Sequence, residues 1–495
     1  MMHVSCSCKS KGFLENSSAQ FGFGYCDWNG RLSAVTNGSG FVVEYMYDIM
    51  DRVTNISWHT TSGATLGGFE YEYDAAGRIV SRRQEIGDPS QMPQMSQTSQ
   101  KNYAYDDLDR LASDGDVSYT YDAAGNRMTR TEDGETITYT LGVGDRLASW
   151  NGGAYSYDAA GNVTHIERDG RPTLDLIWNS QYQLVSVSTN GVFAEGYAYD
   201  ALCRRVSTTT QEGTTRHVYD NNWQVIADLD EGGDVIASYT WGEGIDNLLA
   251  VKVGGSTYYP LTDIQGTVWG YVDSQNNVVA RWQYDAWGNV VDEDVSVPEL
   301  SKLRYRFQGR EWSAATGLVN FRMRWYDPET GRWLSKDPIG LSGGLNLYAF
   351  CGNTQLNSVD FYGESGLVLF ARPTVAPRFL LENSPKPILP KPQPLPRISS
   401  LLKDWGPGKP IPKGFRAPPD PRGNWYNPFT KESLHNDMTH PDGKGIDPHW
   451  DYIDMNHDHF RWFPDGRIVP KPHRVVLPPS PSDGSKCHEE CVSFA

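Results

Sequence analysis

Six of the chain's eleven histidines fall between His435 and His473, most of them in "SLHNDMTHPDGKGIDPHWDYIDMNHDHFRWFPDGRIVPK" (433–471), where they alternate with aspartates. "HWDYID" alternates polar and apolar residues, "MNHD" has turn composition, "HFRWFP" alternates again, and "DG" precedes a third run, "RIVPK". The segment therefore reads as a β-meander. With the first turn centred on Asn456, Asp451 faces Arg461, Ile453 faces His459 and His449 faces Phe463. His449, Asp451, His459 and Arg461 then share one face, and Trp450, Tyr452, Phe460 and Trp462 the other. A one-residue slip would move His459 and Arg461 to the opposite face from His449 and Asp451.

Two histidines, an aspartate and an arginine on one face suit phosphodiester chemistry. A neutral imidazole takes a proton from a nucleophile while a protonated one supplies a leaving group. A guanidinium holds a phosphate with two parallel hydrogen bonds and offsets the charge that builds at phosphorus. The candidates for acid and base are His449, His459, His435 and His440, with Arg461 for the phosphate and Asp451 to orient a histidine. That set needs no cofactor and fits cleavage of RNA through its own 2′-hydroxyl. A divalent metal is the other possibility, held by His435, Asp437 and His440 or by His457, Asp458 and His459, though neither set has a familiar ligand spacing. The same residues also suit an ordinary amphipathic sheet, with Asp451 and Arg461 as a cross-strand ion pair.

The elements that must carry these residues follow from composition and repeats. Forty-nine Gly, 27 Tyr and 16 Trp in 495 residues suit many short strands and tight turns, so a mainly β fold is expected. Net charge is −17, unevenly spread: residues 371–495 carry 17 Lys+Arg against 14 Asp+Glu, so the acidic excess lies in the first 370. Between 371 and 430 there are 10 basic and 3 acidic residues, an electrostatic hold for a phosphate backbone. Trp405, Trp425 and Tyr426 could stack on bases there, although core packing is the commoner use of such residues. Seven scattered cysteines suit a reducing compartment, and "CSC" and "CHEEC" near the ends are weak metal signals. No stretch has the length of apolar residues needed to span a membrane, and the first residues lack a signal-peptide apolar core.

"YEYDAAGRI" (71–79), "YAYDDLDRL" (103–111), "YTYDAAGNR" (119–127), "YSYDAAGNV" (155–163) and "YAYDALCRRV" (197–206) share one layout. The aromatic–small–Tyr alternation is a strand, Asp bonds its own backbone two residues on, Ala-Ala fills a type I turn and Gly takes the positive-φ position. Such hairpins cannot bury a face alone and must stack into one continuous sheet. Of 30 prolines, 23 follow residue 371, beginning "RPTVAPRFLLENSPKPILPKPQPLPR", an extended segment that marks a boundary.

The repeats resemble the YD repeats of Rhs, toxin-complex and teneurin proteins, and "LRYRFQGREWSAATGLVNFRMRWYDPETGRWLSKDPIGLSGGLNLYAFCGNTQLNSVDFYG" (303–363) resembles the Rhs repeat-associated core. The resemblance implies a spirally wound β-sheet, a partial shell plugged by the core, and a C-terminal toxin held by it. It also implies self-cleavage by two aspartates. Asp337 in "SKDPIG" and Asp360 in "SVDFYG" match those positions, and the bond would be Glu364–Ser365. The chain departs from the family pattern at Phe361, usually proline, and at Glu364, usually leucine. Two carboxylates that share a site split their pKa values, as aspartyl-type hydrolysis needs. The plainer reading is that Asp337 and Asp360 cap tight turns.

The expected organisation is a YD-repeat sheet (1–302), the core (303–364), a Pro-rich linker (365–400), a small β-rich, α+β C-terminal domain (401–480) and a tail (481–495). The segment from "WGPGKPIPKGFRAPPDPRGNWYNPFTKESLHND" to "FPDGRIVPK" resembles polymorphic toxin type thirty-seven, a predicted nuclease group. The implied protein is a bacterial toxin with RNA favoured over DNA as substrate, a cognate immunity protein, and export from the cytoplasm without a signal peptide by a type VI-like or other dedicated route. The alternative is a non-enzymatic YD-repeat protein that binds carbohydrate or another surface, or a truncated remnant.

Overall fold

The computed structural model describes residues 8–16, 19–26, 31–87 and 97–364, and beyond these the backbone of residues 367–368, 425–426, 433–437, 449–453, 459–462 and 468–470. The chain divides into two compact units, residues 1–388 and 389–495. In the first, 27 strands from Cys8–Asn16 to Val290–Val295 form one antiparallel sheet in which each strand pairs with the next in sequence.

One repeat explains the sheet. Strand Thr65–Tyr73 ends at Asp74, whose Oδ1 accepts from the backbone N–H of Ala76 (3.0 Å) and of Arg78 (2.9 Å). Gly77, at φ 87°, donates to the Asp74 carbonyl at 3.1 Å, and the chain re-enters the sheet at Ile79–Ile86. The same side-chain bonds recur at Asp48, Asp106 and Asp200. There the Gly position is filled by Asp51, Asp109 and Cys203 at φ 64°, 62° and 63°. The aspartate's bonds hold the turn even where the residue type opposes the left-handed conformation by about 1 kcal/mol.

The two tyrosines of each repeat divide the work. The first, at Tyr71, Tyr103, Tyr119, Tyr155 and Tyr197, is buried on the inner face. The second reaches back to the preceding hairpin. Tyr73 donates its hydroxyl to the Val53 carbonyl at 2.6 Å, and the Arg52 guanidinium lies 4.6 Å from its ring centre. Tyr47 with Leu32 and Arg31, Tyr105 with Ile79 and Arg78, Tyr121 with Leu111 and Arg110, and Tyr219 with Arg205 and Arg204 repeat the arrangement. Trp178 and Trp241 make the same reach with an indole N–H, to Val163 and Val225.

The sheet folds over so that distant strands share a core. Phe69 meets Trp269 edge to face at 5.4 Å and Phe21 meets Tyr259 at 6.1 Å. One apolar cluster spans strands from Phe21 to Tyr119 and from Val225 to Tyr284; a second, from Tyr139 to Tyr197, closes on Leu318, Trp325 and Leu334. Residues 303–364 are packed against the inner faces of these strands. Their four short strands, Glu311–Trp312, Val319–Phe321, Arg324–Asp327 and Arg332–Trp333, surround an aromatic cluster of Phe307, Phe321, Tyr326, Trp333 and Phe350. Hydrogen bonds from the Ile79 N–H to Asn357 Oδ1 (2.8 Å), from Asn353 to the Gly125 carbonyl (2.8 Å) and from Tyr348 to the Gly161 carbonyl (2.7 Å) tie the segment to the turns of three repeats.

In the second unit, five strands pair antiparallel in sequence order: Trp425–Tyr426, Ser433–Asp437, His449–Ile453, His459–Trp462 and Ile468–Pro470. Among the described residues no helix is long and apolar enough to cross a membrane.

The reach of Tyr73 predicts that Tyr73→Phe, which keeps the ring and loses the hydroxyl, destabilises the first unit by about 1 kcal/mol. Urea denaturation followed by tryptophan fluorescence reads this as a lower midpoint at unchanged slope.

Candidate active site

Strand Arg324–Asp327 carries a guanidinium into the interior of the core, where apolar walls leave it only carboxylates and carbonyls as partners. Arg324 Nη2 pairs with Asp337 Oδ2 at 2.9 Å and with Asp360 Oδ2 at 3.3 Å. Its Nε donates to the Gly363 carbonyl, and the guanidinium lies 4.0 Å from the Trp333 ring centre. All three charged residues are nearly closed to solvent: Arg324 and Asp360 are 2% exposed and Asp337 8%.

Each aspartate also builds a turn. Asp337 Oδ1 accepts from the Ile339 N–H at 3.0 Å. Asp360 Oδ1 accepts from the N–H of Tyr362 (3.3 Å), Gly363 (2.7 Å) and Glu364 (3.1 Å), closing a loop in which Gly363 stands at φ 71°. Turn capping and carboxylate pairing, which the sequence offered as alternatives, are both present: one oxygen of each aspartate caps, and the other converges on Arg324.

Gly343 brings the third partner to the same place. A methyl group there would lie 2.4 Å from Asp337 Oδ2 and 2.8 Å from the Glu364 carbonyl oxygen, so the aspartate and the carbonyl border one small space that only glycine leaves open. Residues Leu367–Val368 pair back, antiparallel, on Ser358–Val359.

Burial raises the proton affinity of two carboxyls at the site. Burial pushes Asp337 up to about 6, helped by the charge of Asp360 and opposed by Arg324. Burial, with Asp360 and Asp337 next, pushes Glu364 up to about 7. Asp337 thus binds a proton more readily than an exposed aspartate, as a general acid in hydrolysis by paired carboxylates must, and the oxygens of Asp360 accept four hydrogen bonds. Sequence reasoning named Asp337 and Asp360 and the bond, but it missed Arg324, Gly343 and the Glu364 side chain as a member of the group. The signal available was "FRMRWYD", a charged residue inside an apolar strand.

The histidine-rich segment belongs to the second unit, of which only strand backbone is described. Its register pairs Asp451 with Arg461 and Ile453 with His459, the alignment that a turn centred on residue 456 requires. Sequence reasoning did not foresee that Ser433–Asp437 is the neighbouring strand, with His435 opposite Asp451 and Asp437 opposite His449. Positions 435, 451 and 461 therefore stand in one row across three strands, flanked by the 437–449 and 453–459 pairs. His440, His457 and Asp458 lie outside the described residues.

The teneurin YD-shell family model matches residues 36–355. The chain is 31% identical over 366 residues, 70% of its length, to the tRNA3(Ser)-specific nuclease WapA of Bacillus spizizenii, and it spans 15% of that protein. It is 27% identical over 345 residues, 62% of its length, to the double-stranded DNA deaminase toxin A of Burkholderia cenocepacia, spanning 21% of it. Among solved structures, the Photorhabdus luminescens Tc holotoxin pore superposes with a TM-score of 0.58 at 20% identity, over 71% of this chain and 20% of that one.

Removing the shared guanidinium leaves two buried carboxyls unpaired. Arg324→Leu is expected to destabilise the first unit by roughly 3–5 kcal/mol, measurable as a fall in thermal midpoint. Asp337→Asn should fold with a much smaller loss.

Proposed function

The chain belongs to the teneurin YD-shell family, and on that premise we propose that it is an Rhs-type toxin carrier that cuts itself at Glu364–Ser365 to release a nuclease. The observation that carries the reading is the buried Asp337–Arg324–Asp360 group, with the Glu364 carbonyl beside Asp337.

The chemistry is hydrolysis of one peptide bond. Asp337, able to hold its proton, polarises the Glu364 carbonyl and gives that proton to the departing Ser365 nitrogen. Asp360 takes a proton from the attacking water, whose oxygen bonds to the Glu364 carbon as the C–N bond breaks. The products are the Glu364 carboxylate and a free Ser365 amine. Arg324 offsets the negative charge that accumulates during the attack, within a dry site where such an interaction is strong.

The released portion carries the second chemistry. His449, His459, His435 and His440 serve as acid and base, Arg461 holds the phosphate and Asp451 orients a histidine. The row of positions 435, 451 and 461 supports this assignment, because three chemically active residue types meet at one level of the sheet. RNA is the preferred substrate and no metal is required; in the metal-dependent alternative, His435, Asp437 and His440 hold a divalent ion. The names of the WapA relatives attach tRNA cleavage to proteins that share this chain's repeat region. The chain spans 10–15% of the length of those relatives, so the activity is argued from this chain's own residues. A cognate immunity protein would protect the producing cell, and a dedicated export route would deliver the toxin to a competitor.

Two measurements check the reading. Purified wild-type chain should yield a fragment whose first residue is Ser365 by intact mass, and Asp337→Asn or Asp360→Asn should abolish it. The same wild-type preparation should cut RNA in the presence of EDTA and leave a matched 2′-deoxy strand intact, with His449→Ala reducing the rate by roughly 10²–10⁴-fold. Cutting of both strands that EDTA abolishes would favour the metal site, and no cutting would favour a binding role for the second unit.

A further inference from the structure

Glu364 supplies the carbonyl that is attacked and also adds a third carboxyl to a site with one guanidinium. The residue is 6% exposed, and its Oε1 atom has no hydrogen-bond donor among the described residues. The groups facing it come from every element around the loop: Arg324 from strand Arg324–Asp327, Asp337 from the following turn, and Asp360 and Tyr362 from its own loop. Beyond these, Arg322 is held by both carboxylate oxygens of Asp246 (3.0 and 2.7 Å) and donates to the Phe361 carbonyl, so it is already committed. The Cys351 thiol lies on the Asp360 side, where burial and Asp360 raise its pKa and keep it neutral.

We infer that Glu364 is a positioning residue that gates cleavage of its own peptide bond: the loop holds the Glu364 carbonyl against Asp337 when the Glu364 side chain is protonated and withdraws it when that side chain is charged. The inference rests on the self-cleavage reading above. An ionised Glu364 would place another negative charge beside Asp360, with one oxygen unpartnered and little water. The charged side chain gains by moving to solvent. Because side chain and carbonyl share one Cα, that movement takes the scissile carbonyl with it.

The direction of the pH effect follows. Seating the loop raises the Glu364 carboxyl from its ordinary 4.5 to about 7, so seating takes up a proton. It is most favourable below pH 4.5 and weakens as pH rises to about 7. A Glu at this position thus makes processing respond to mild acidification, which an apolar residue there would not do.

The test compares self-cleavage rates of full-length wild type, Glu364→Gln and Glu364→Leu from pH 5.5 to 8.5, with Asp337→Asn as the blank. Both neutral variants keep the Asp337 dependence and lose one proton from the profile. Between pH 6 and pH 8 the wild-type rate should fall about tenfold further than either variant, the effect of one extra proton with a midpoint near 7. Parallel profiles for the three chains overturn the gate and leave self-cleavage standing. Absence of the Ser365 fragment from wild type at every pH overturns both. Should Glu364→Gln lose its native circular dichroism, Glu364→Leu decides alone.

Discussion

Several hairpins of the sheet are fastened to the one before by a tyrosine hydroxyl that crosses to a backbone carbonyl, under an arginine held by the preceding repeat's aspartate. Tyr73, Val53 and Arg52 show the unit, and Tyr105, Tyr121 and Tyr219 repeat it. A lone hairpin has no buried face and is marginal in water. The hydroxyl bond and the ring–guanidinium contact give each such hairpin a partner as soon as its neighbour exists. The second tyrosine of the motif thus sets the spacing of the sheet, and the first, turned inward, fills the core.

Burial of the core segment creates the electrostatic problem from which the site arises. Residues 303–364 bring six arginines into an interior lined by Tyr and Trp. Four of these guanidiniums meet buried carboxylates, while Arg306 and Arg332 donate to the carbonyls of Ser301 and Asp145. Arg310 and Arg322 share Asp246, and Arg304 joins Glu311 to Asp228, which also holds His217 at 2.7 Å. Burial pushes His217 down to about 4, so it contributes no charge to this network near neutrality. Arg324 is the member of the set one of whose two carboxylates, Asp360, also caps the loop that carries Glu364. A structural ion pair and a reactive one use the same interaction here; what separates them is a backbone carbonyl lying within reach.

Much of this was legible in the sequence because the repeat encodes local geometry. Asp and Gly at fixed offsets declare the turn, and the alternation of Tyr declares the face. The register about residue 456 was readable because the aromatic alternation there permits one alignment that keeps all apolar positions together. Partners distant in sequence were not readable. Arg324 lies 36 residues from Asp360, and nothing local pairs them. Gly343 reads as one glycine of a loop, and its role as the floor shared by Asp337 and the Glu364 carbonyl exists only in three dimensions. The neighbouring strand Ser433–Asp437 was hidden for a related reason: its charged and amide residues lack the β-branched and aromatic signal of a strand, so pairing rather than propensity places it.

The ties between the core segment and the repeats bear on how such a chain can lengthen or shorten over time. A fastening that reaches one hairpin back is indifferent to how many hairpins precede it, so a unit can be duplicated or lost wherever nothing else holds it. The turns at Asp74, Asp122 and Asp158 are not free in this sense, because Asn357, Asn353 and Tyr348 bond beside them. The turn at Asp48 has no such hydrogen bond from residues 303–364 among the described residues. Copy-number drift is accordingly confined to a few permitted places, and the geometry around Glu364 is insulated from it.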